Sequence, residues 1–391
     1  MKFDIAIIGA GPSGLGLACA LAKTKLKIAI IEKNLKKKFS NPQNDGRDIA
    51  LTHQSMDILK KMGVWKNINS KKISLVKEAR VLDGNSSKYL HFDHTKTIEK
   101  SLGYLVPNYV IRKAIYEKLQ TLKTIKIFPN NKVLKIVSNK SLSKIYLKNR
   151  KILESKLTVV ADGRLSKIRK KIGIYANKTN FGAAMSVFRM KHQFNNDNIA
   201  SEYFHYNQTL AILPIEKKLS SIVLTLQNDT SKKFLNMAKK KINEKIENDL
   251  KGKLGKMNII GKKYTYPMLT IYSNEFYRDR SVLIGDAAVG MHPVTAHGFN
   301  LNLRGIDILQ NKIKSALLNN IDIGSTDVLK KYEKNFRKVS LPIYLATNAI
   351  VRLYSNQKPI IKLARRSLLI LADAMKPAKN AIIDNLLLKN S

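Results

Sequence analysis

The chain has 391 residues, 44% of them hydrophobic and 7% aromatic, the composition of a folded globular protein and not of a disordered one. Its 71 Lys+Arg against 28 Asp+Glu leave a formal charge of +43, and its single cysteine, Cys19, excludes an internal disulfide or a cysteine cluster for zinc or iron–sulfur. Apolar runs are broken by Gly, Pro or charge before they reach the roughly 18–20 residues that a membrane span needs.

The lysines are spread over nearly every segment. The positive excess therefore reads first as compositional bias, next as attraction to an anionic lipid surface, and only third as nucleic-acid binding. Residues 3–22 could pass for a signal peptide, but Asp4 and three patterned glycines argue against it.

Residues 2–8 form a short apolar strand that runs straight into Gly9-Ala10-Gly11-Pro12-Ser13-Gly14. A helix is expected over 15–23 and a second strand over 27–31, ending in Glu32. This is G-x-G-x-x-G in its required context, with an acid 18 residues past the last glycine. Gly9 permits the tight turn, Gly11 lets a pyrophosphate approach the backbone, and Gly14 lets helix and strand pack closely. Glu32 would accept hydrogen bonds from the adenosine ribose hydroxyls and repel a 2′-phosphate. A dinucleotide site follows.

Lys36-Lys37-Lys38 reads as a solvated loop, and residues 53–62 as a helix. Between them, Arg47 stands in a loop after Asp45-Gly46, as a phosphate-contacting arginine would or as a plain surface residue. Residues 76–93 alternate as strands of a different sheet, 110–122 form an amphipathic helix carrying Arg112, and 125–136 and 144–147 a strand and a hairpin. Residues 157–160 are another buried strand, turned by Ala161-Asp162-Gly163, with Ser166 and Arg169 at the next helix start.

The pattern is β over 184–190, 200–205, 209–213 and 221–226, and then a lysine-rich helix is expected over 232–250. Residues 281–307 hold a short strand, the Gly285-Asp286 turn, a loop with His292, Pro293 and His297, and a helix beginning near Gly298-Phe299-Asn300. The N–H groups of such a helix start favour an anion or a developing negative charge, although an ordinary strand-to-helix connection has the same pattern. The tail, 328–391, is helical and sets apolar residues beside Arg352, Arg365 and Arg366, for packing against the body or for lying on a bilayer or a partner. His292 and His297 share a loop without a carboxylate, so no metal site is expected.

Three elements therefore stand in order: GAGPSG with Glu32, VVADG with Ser166 and Arg169, and IGDAA followed by HPVTAHGFN. Together they resemble the FAD-dependent aromatic hydroxylases of the p-hydroxybenzoate hydroxylase type, and within that group the ubiquinone-biosynthesis monooxygenases. The likeness spans the chain and includes Asp45-Gly46-Arg47 with Ala50-Leu51, Val106-Pro107-Asn108 before Arg112, and Tyr266-Pro267. It departs from the usual H-P-hydrophobic-small-G-Q-G-x-N-x-G-x-x-D pattern. Thr295, Ala296 and His297 replace small-G-Q, Asn302 replaces the later glycine, and Gly305 sits where the acid should be. The wording MHPVTAHGFN is similar to the demethoxyubiquinol hydroxylases that oxidise more than one ring position.

The resemblance implies an α/β fold: a Rossmann-like FAD-binding domain (1–72, 105–172 and 276–335) interleaved with a smaller mixed β-sheet substrate domain (73–104 and 173–275), and a helical C-terminal segment (336–391). It implies FAD contacts at Gly9, Gly11, Gly14, Glu32, Arg47, Arg112 and Asp286, at Val133 by its backbone against the adenine, and at Asp162 on the flavin side. Pro293, Gly298, Phe299 and Asn300 would border the isoalloxazine. The implied reaction is ring hydroxylation of a polyprenylated phenol or quinol through a flavin C4a-hydroperoxide, with O₂ as co-substrate and NAD(P)H or another donor as transient reductant. No side-chain acid or base is required. The implied location is cytoplasmic, at the inner face of the membrane, with other ubiquinone-biosynthesis enzymes as further contacts and nucleic acid not expected.

Two other readings share these residues. One is a flavin-dependent reductase or halogenase on the same fold, although Trp65 is the only tryptophan and a halogenase would need a tryptophan-rich motif. The other is an RNA-directed flavoprotein, suggested by the charge alone.

Overall fold

The structure is a computed structural model that describes residues 1–83, 89–96, 99–205, 208–292 and 297–355. Among these residues the strands assemble into two eight-stranded sheets and one of three strands. Five parallel strands make the body of the first sheet, in the order Ser281–Leu283, Ile152–Val160, Lys2–Ile8, Ile28–Ile31, Ile125–Phe128. Ile5, Ala6, Ile7, Ala29, Ile30 and Val159 have no accessible surface, which is why these strands read as near-continuous apolar runs. The chain lays strands to one side of Lys2–Ile8 and then to the other. The order therefore reverses there, and the carboxyl ends of Lys2–Ile8 and Ile152–Val160 open a crevice.

The second sheet runs Val289–Gly290, Met257–Ser273, Ala176–His192, Leu219–Gln227, Gln208–Glu216, Ile199–His205, Glu78–Asp83, Tyr89–Asp93. It is antiparallel except where Ile199–His205 meets Glu78–Asp83. Alternation sorts its two faces. Phe188, Leu210, Ile212, Ile222 and Leu224 pack outward with Phe234, Ile242 and Ile246. The residues between them face the first sheet.

The lysine-rich stretch expected as one helix is two, Asn228–Leu235 and Lys239–Asp249, separated by an extended Ala238. Phe234, Ile242, Ile246 and Leu250 are all buried in the same cluster. Residues repeating every four positions drift by about 40° per step on a 3.6-residue helix, so one straight helix would turn the last of them off the sheet. The break resets the phase. Lys37 and Lys38 likewise belong to a short helix, Lys37–Ser40, held down by buried Phe39 against the Tyr116 ring at 5.8 Å, and not to a loop.

The strands Asp48–Leu51, Gly103–Pro107 and Ser74–Val76 form the small third sheet. Arg189 of the second sheet reaches it through an ion pair with Asp48 at 2.9 Å, and the Asp48 carboxylate is 1% exposed. The helices His297–Leu318 and Thr326–Ser355 close the other side. They approach closely at Gly305, where a Cβ would lie 3.0 Å from the Phe336 ring. The position that lacks the family's acid is thus a helix-packing site. Tyr332 donates to the Leu283 carbonyl at 3.0 Å, tying the last helix to the first sheet. That helix ends with Arg352 exposed; Arg365 and Arg366 lie outside the described residues. No helix among the described residues is long and apolar enough to cross a membrane.

Candidate active site

The crevice at the strand reversal opens into a cavity of about 890 Å³, lined by residues of both large sheets and within the range of pockets that enclose small molecules. Its first end is made of backbone. Gly9, at φ +113°, leaves no room for a side chain because a Cβ there would strike the Ala161 carbonyl, and a Cβ on Gly14 would strike Gly9 itself. A Cβ on Gly11 would meet nothing within 4 Å, because that residue faces the open cavity where the helix Pro12–Ala20 begins. A diphosphate therefore fits against the open backbone at Gly11 and the positive end of the helix.

Glu32 lines the same end and is 8% exposed. Its carboxylate accepts from Ala10 N at 2.7 Å, Asn34 N at 2.9 Å and Asn34 Nδ2 at 2.6 Å. A carboxylate has about four acceptor sites, which leaves capacity for a ribose hydroxyl. Val133 opens the strand Val133–Ser138 at the cavity edge, where an adenine would follow the ribose. Arg47 and Arg112 line the cavity wall; Arg47 pairs with Asp45 at 2.6 Å and lies 5.1 Å over the Tyr266 ring, and Arg112 donates to the Lys38 carbonyl at 3.3 Å.

Asp286 stands at the centre. It accepts from Arg164 Nη2 at 3.0 Å and from Asn302 Nδ2 at 3.1 Å, while the Asn302 Oδ1 is buried without a partner among the described residues. That orphaned acceptor calls for a donor from a bound molecule, and a hydroxylated chain supplies one. Gly298 and Phe299, in the first turn of the helix His297–Leu318, border the cavity beside Met291 and His292. Burial, and secondarily the Arg164 charge, lowers the His292 imidazole to about 4, so it is neutral at physiological pH; Phe181 packs edge-on to it at 5.0 Å.

Several of the expected site residues hold contacts within the protein. Asn300 does not line the cavity; it donates to the Ala50 carbonyl at 2.8 Å and accepts from Thr52 N at 3.1 Å, which fixes the helix start to its neighbours. Asp162 lines the cavity, but its two oxygens accept from Ser166 Oγ and from Ile168 N at 3.3 Å. Arg169 donates to the Ala287 carbonyl at 2.9 Å. The Asp162–Ser166–Arg169 set therefore braces the short helix Lys167–Lys171 against the Asp286 turn. Pro293 lies outside the described residues. Among the described residues no three His, Cys, Asp or Glu side chains converge as a metal site.

Two residues were not anticipated. Arg164 joins Asp286 to the Leu269 carbonyl at 2.7 Å, and so links the two sheets across the cavity; its place directly after Asp162-Gly163 was the available signal. Glu202 enters from the second sheet with no local motif to mark it. The Ile199–His205, Gln208–Glu216, Leu219–Gln227 and Ala176–His192 registers set Glu202, Ala211, Val223 and Val187 in one row, and all four line the cavity. Met185, Thr209, Leu213 and Thr225 complete that wall.

The profile of the FAD binding domain family matches residues 2–341. Ubiquinone hydroxylase UbiM of Neisseria meningitidis is 37% identical over 98% of this chain and 84% of its own length. Ubiquinone hydroxylase UbiL of Rhodospirillum rubrum is 28% identical over 96% of this chain and 87% of its own. The fold matches p-nitrophenol 4-monooxygenase PnpA of Pseudomonas putida with a TM-score of 0.79 at 18% identity, over 99% and 98% of the two chains. Glycine cradle, central aspartate and family profile together define the class, an FAD-dependent monooxygenase. Within it the chain belongs to the ubiquinone hydroxylase family that includes UbiM.

Proposed function

We propose that this enzyme hydroxylates the aromatic ring of a polyprenylated phenol or quinol in ubiquinone biosynthesis. The observation that carries the reading is the continuity of one cavity, from a backbone cradle at Gly9 and Gly11 to an apolar sheet wall at Val187 and Val223. Segments 1–72, 105–172 and 276–335 would form the cofactor domain and 73–104 with 173–275 the substrate domain. The short strand Val289–Gly290 pairs with the second sheet and stitches the first to it.

FAD, reduced by NAD(P)H or another donor, supplies the electrons and the activation of O₂ when bound. Gly9, Gly11 and Gly14 hold its pyrophosphate, Glu32 the adenosine ribose, and Val133 the adenine by its backbone. Arg47 and Arg112 lie along the phosphate stretch, and Asp286 and Asn302 take the ribityl hydroxyls. The first turn of His297–Leu318, through Gly298 and Phe299, would border the ring system of bound FAD, and the helix start would favour negative charge there. Met185, Val187, Ala211 and Val223 exclude water from the reacting ring. A phenolic ring is electron-rich, so no Ser/His/Asp or paired-carboxylate catalyst is needed.

A prenyl tail would bring the enzyme to the cytoplasmic membrane surface. Leu341 and Leu345 are exposed about one turn apart on one side of Thr326–Ser355, which also carries the exposed Arg352, as a surface-lying helix would have them. Complementation of a strain lacking its ring hydroxylases, with profiling of the quinone intermediates, tests the function. Restored ring-hydroxylated intermediates support it, and accumulation of the unhydroxylated precursor overturns it. Sedimentation with anionic but not neutral vesicles at low salt tests the membrane contact.

A further inference from the structure

The wall contributed by the second sheet is apolar or hydroxyl-bearing except at one position. Its cavity-facing residues are Met185, Val187, Glu202, Thr209, Ala211, Leu213, Val223 and Thr225, and Glu202 alone can carry a charge. No hydrogen-bond or ion-pair partner holds Glu202 among the described residues, so its oxygens open into the cavity. Its neighbours in register are Ala211 on one side and Val81 on the other, neither of them ionisable. The cavity's other charged groups, Arg47, Asp48, Arg112, Arg164 and Asp286 among them, belong to the loops around the first sheet, the strand Asp48–Leu51 and the helix Asn108–Gln120. A carboxyl kept in such a wall without a protein partner is placed for a ligand.

We propose that Glu202 is the group that reads the substrate ring: its carboxyl hydrogen-bonds an oxygen substituent of a neutral phenol or quinol, and the wall around it, whose one cation on that face, Arg189, is already paired with Asp48, rejects rings that bear a carboxylate. The inference rests on the aromatic-hydroxylase reading and specifies the substrate class of the same cavity.

The chemistry follows from the surroundings. Burial pushes the Glu202 carboxyl up to about 8, with no charged side chain contributing. At pH 7 the group is mostly the neutral acid, which offers one O–H donor and retains acceptor capacity. It can therefore donate to a ring hydroxyl or ether oxygen and accept from a hydroxyl. A substrate carboxylate beside it would find on this face only Arg189, already paired with Asp48 at 2.9 Å, and burying an unpaired charge is costly. Glu202 is a specificity and positioning residue. It fixes which ring edge faces the sheet and so which carbon faces the flavin.

The test uses the full-length holoenzyme and a matched pair of probes, 2-prenylphenol and 3-prenyl-4-hydroxybenzoate, with binding read from the change in the flavin absorbance spectrum. Wild type is expected to bind the phenol and not the benzoate. Phenol binding should be pH-dependent around 8, where the carboxyl loses its O–H donor and becomes an acceptor only. Glu202→Leu should weaken phenol binding about tenfold or more, with FAD content and thermal unfolding unchanged. Glu202→Gln, which still donates and accepts, should bind within about threefold of wild type and lose the pH dependence.

Equal binding of both probes, or a Leu variant with unaltered affinity and pH profile, overturns the proposal while the hydroxylase reading stands. If the Leu variant does not fold, a Gln variant that keeps the wild-type pH profile overturns it equally. Failure of wild type to bind either probe, together with failed complementation, overturns the reading and the proposal together.

Discussion

At the glycine rim of the cavity, a Cβ added to Gly9 or Gly14 would collide with backbone, whereas on the opposite wall Ala211 and Val223 face open space. One wall is cut from the main chain and tolerates nothing extra at Gly9 or Gly14. The other is an interchangeable row of side chains on a regular sheet. At Gly9 and Gly14 the shape of the cavity is set by backbone geometry that side-chain drift cannot alter. Substrate recognition is placed where single substitutions change the shape without touching the fold.

The largest expected contrast is a pair of enlargements. Gly9→Val forces a branched side chain onto a positive φ, at about 1–3 kcal/mol, and overpacks the turn against Ala161, at about 1–3 kcal/mol more. It should yield no folded flavoprotein. Ala211→Phe adds more volume, yet its space comes from the cavity, so folding and flavin content should be normal and substrate binding should fail. Soluble yield, flavin absorbance and probe binding on both variants check this; a colourless Ala211→Phe would mean the two walls are not independent.

The next contrast lies within the cofactor side. Asp286→Ala removes the partner of both Arg164 and Asn302 and the acceptor for the ribityl chain, each hydrogen bond to a charged group being worth about 1.5–3 kcal/mol. It should purify without flavin. Gly298→Val should fold and retain flavin in part, since its Cβ would meet only the Met291 Cβ at 3.6 Å. The added bulk projects toward the ring system and should abolish hydroxylation. Normal turnover by Gly298→Val would show that the ring lies elsewhere.

Glu32→Ala comes next. It removes one ribose acceptor, for a loss of about 1.5–3 kcal/mol in FAD affinity, and leaves the buried Ala10 N–H without its 2.7 Å partner. The loss should appear as a weakened Kd on reconstitution of the apoprotein. Unchanged affinity would move the ribose away from Glu32.

These contrasts also explain what was legible in the sequence. GAGPSG, VVADG and IGDAA are local devices: each turn is made by consecutive residues, so the strand-reversal fold and the turns that line that end of the cavity could be read directly. The substrate wall depends on registers such as Glu202 with Ala211 and Ala211 with Val223, in strands whose length exceeds their alternating apolar stretch. Ala176–His192 runs 17 residues where a run of seven was legible. A one-residue error in register would have turned Glu202 to the helices on the outer face. The family pattern pointed to Asn300 and gave Asn302 only as a replaced glycine, whereas the phase of the helix sets Asn300 against Ala50 and Asn302 against Asp286.

The smallest effect belongs to the seam between the walls. His292 follows the first sheet's Asp286 turn, packs against Phe181 of the second sheet, and is 2% exposed. Burial first, and the Arg164 charge second, hold its imidazole near 4, below the ordinary value of about 6.5. The folded protein thus binds this proton less readily than the unfolded chain. Full stability is present above pH 6.5 and is lost as pH falls toward 4, because the unfolded state takes up the proton first. Between pH 7 and pH 5.5 this one group should cost about 1 kcal/mol. His292→Phe, which keeps an aromatic ring against Phe181, should remove that component. Denaturant midpoints for both proteins at the two pH values, with FAD saturating, isolate it as the difference in slope. If the two slopes coincide, the imidazole is not held neutral, and water or a counter-charge reaches the seam.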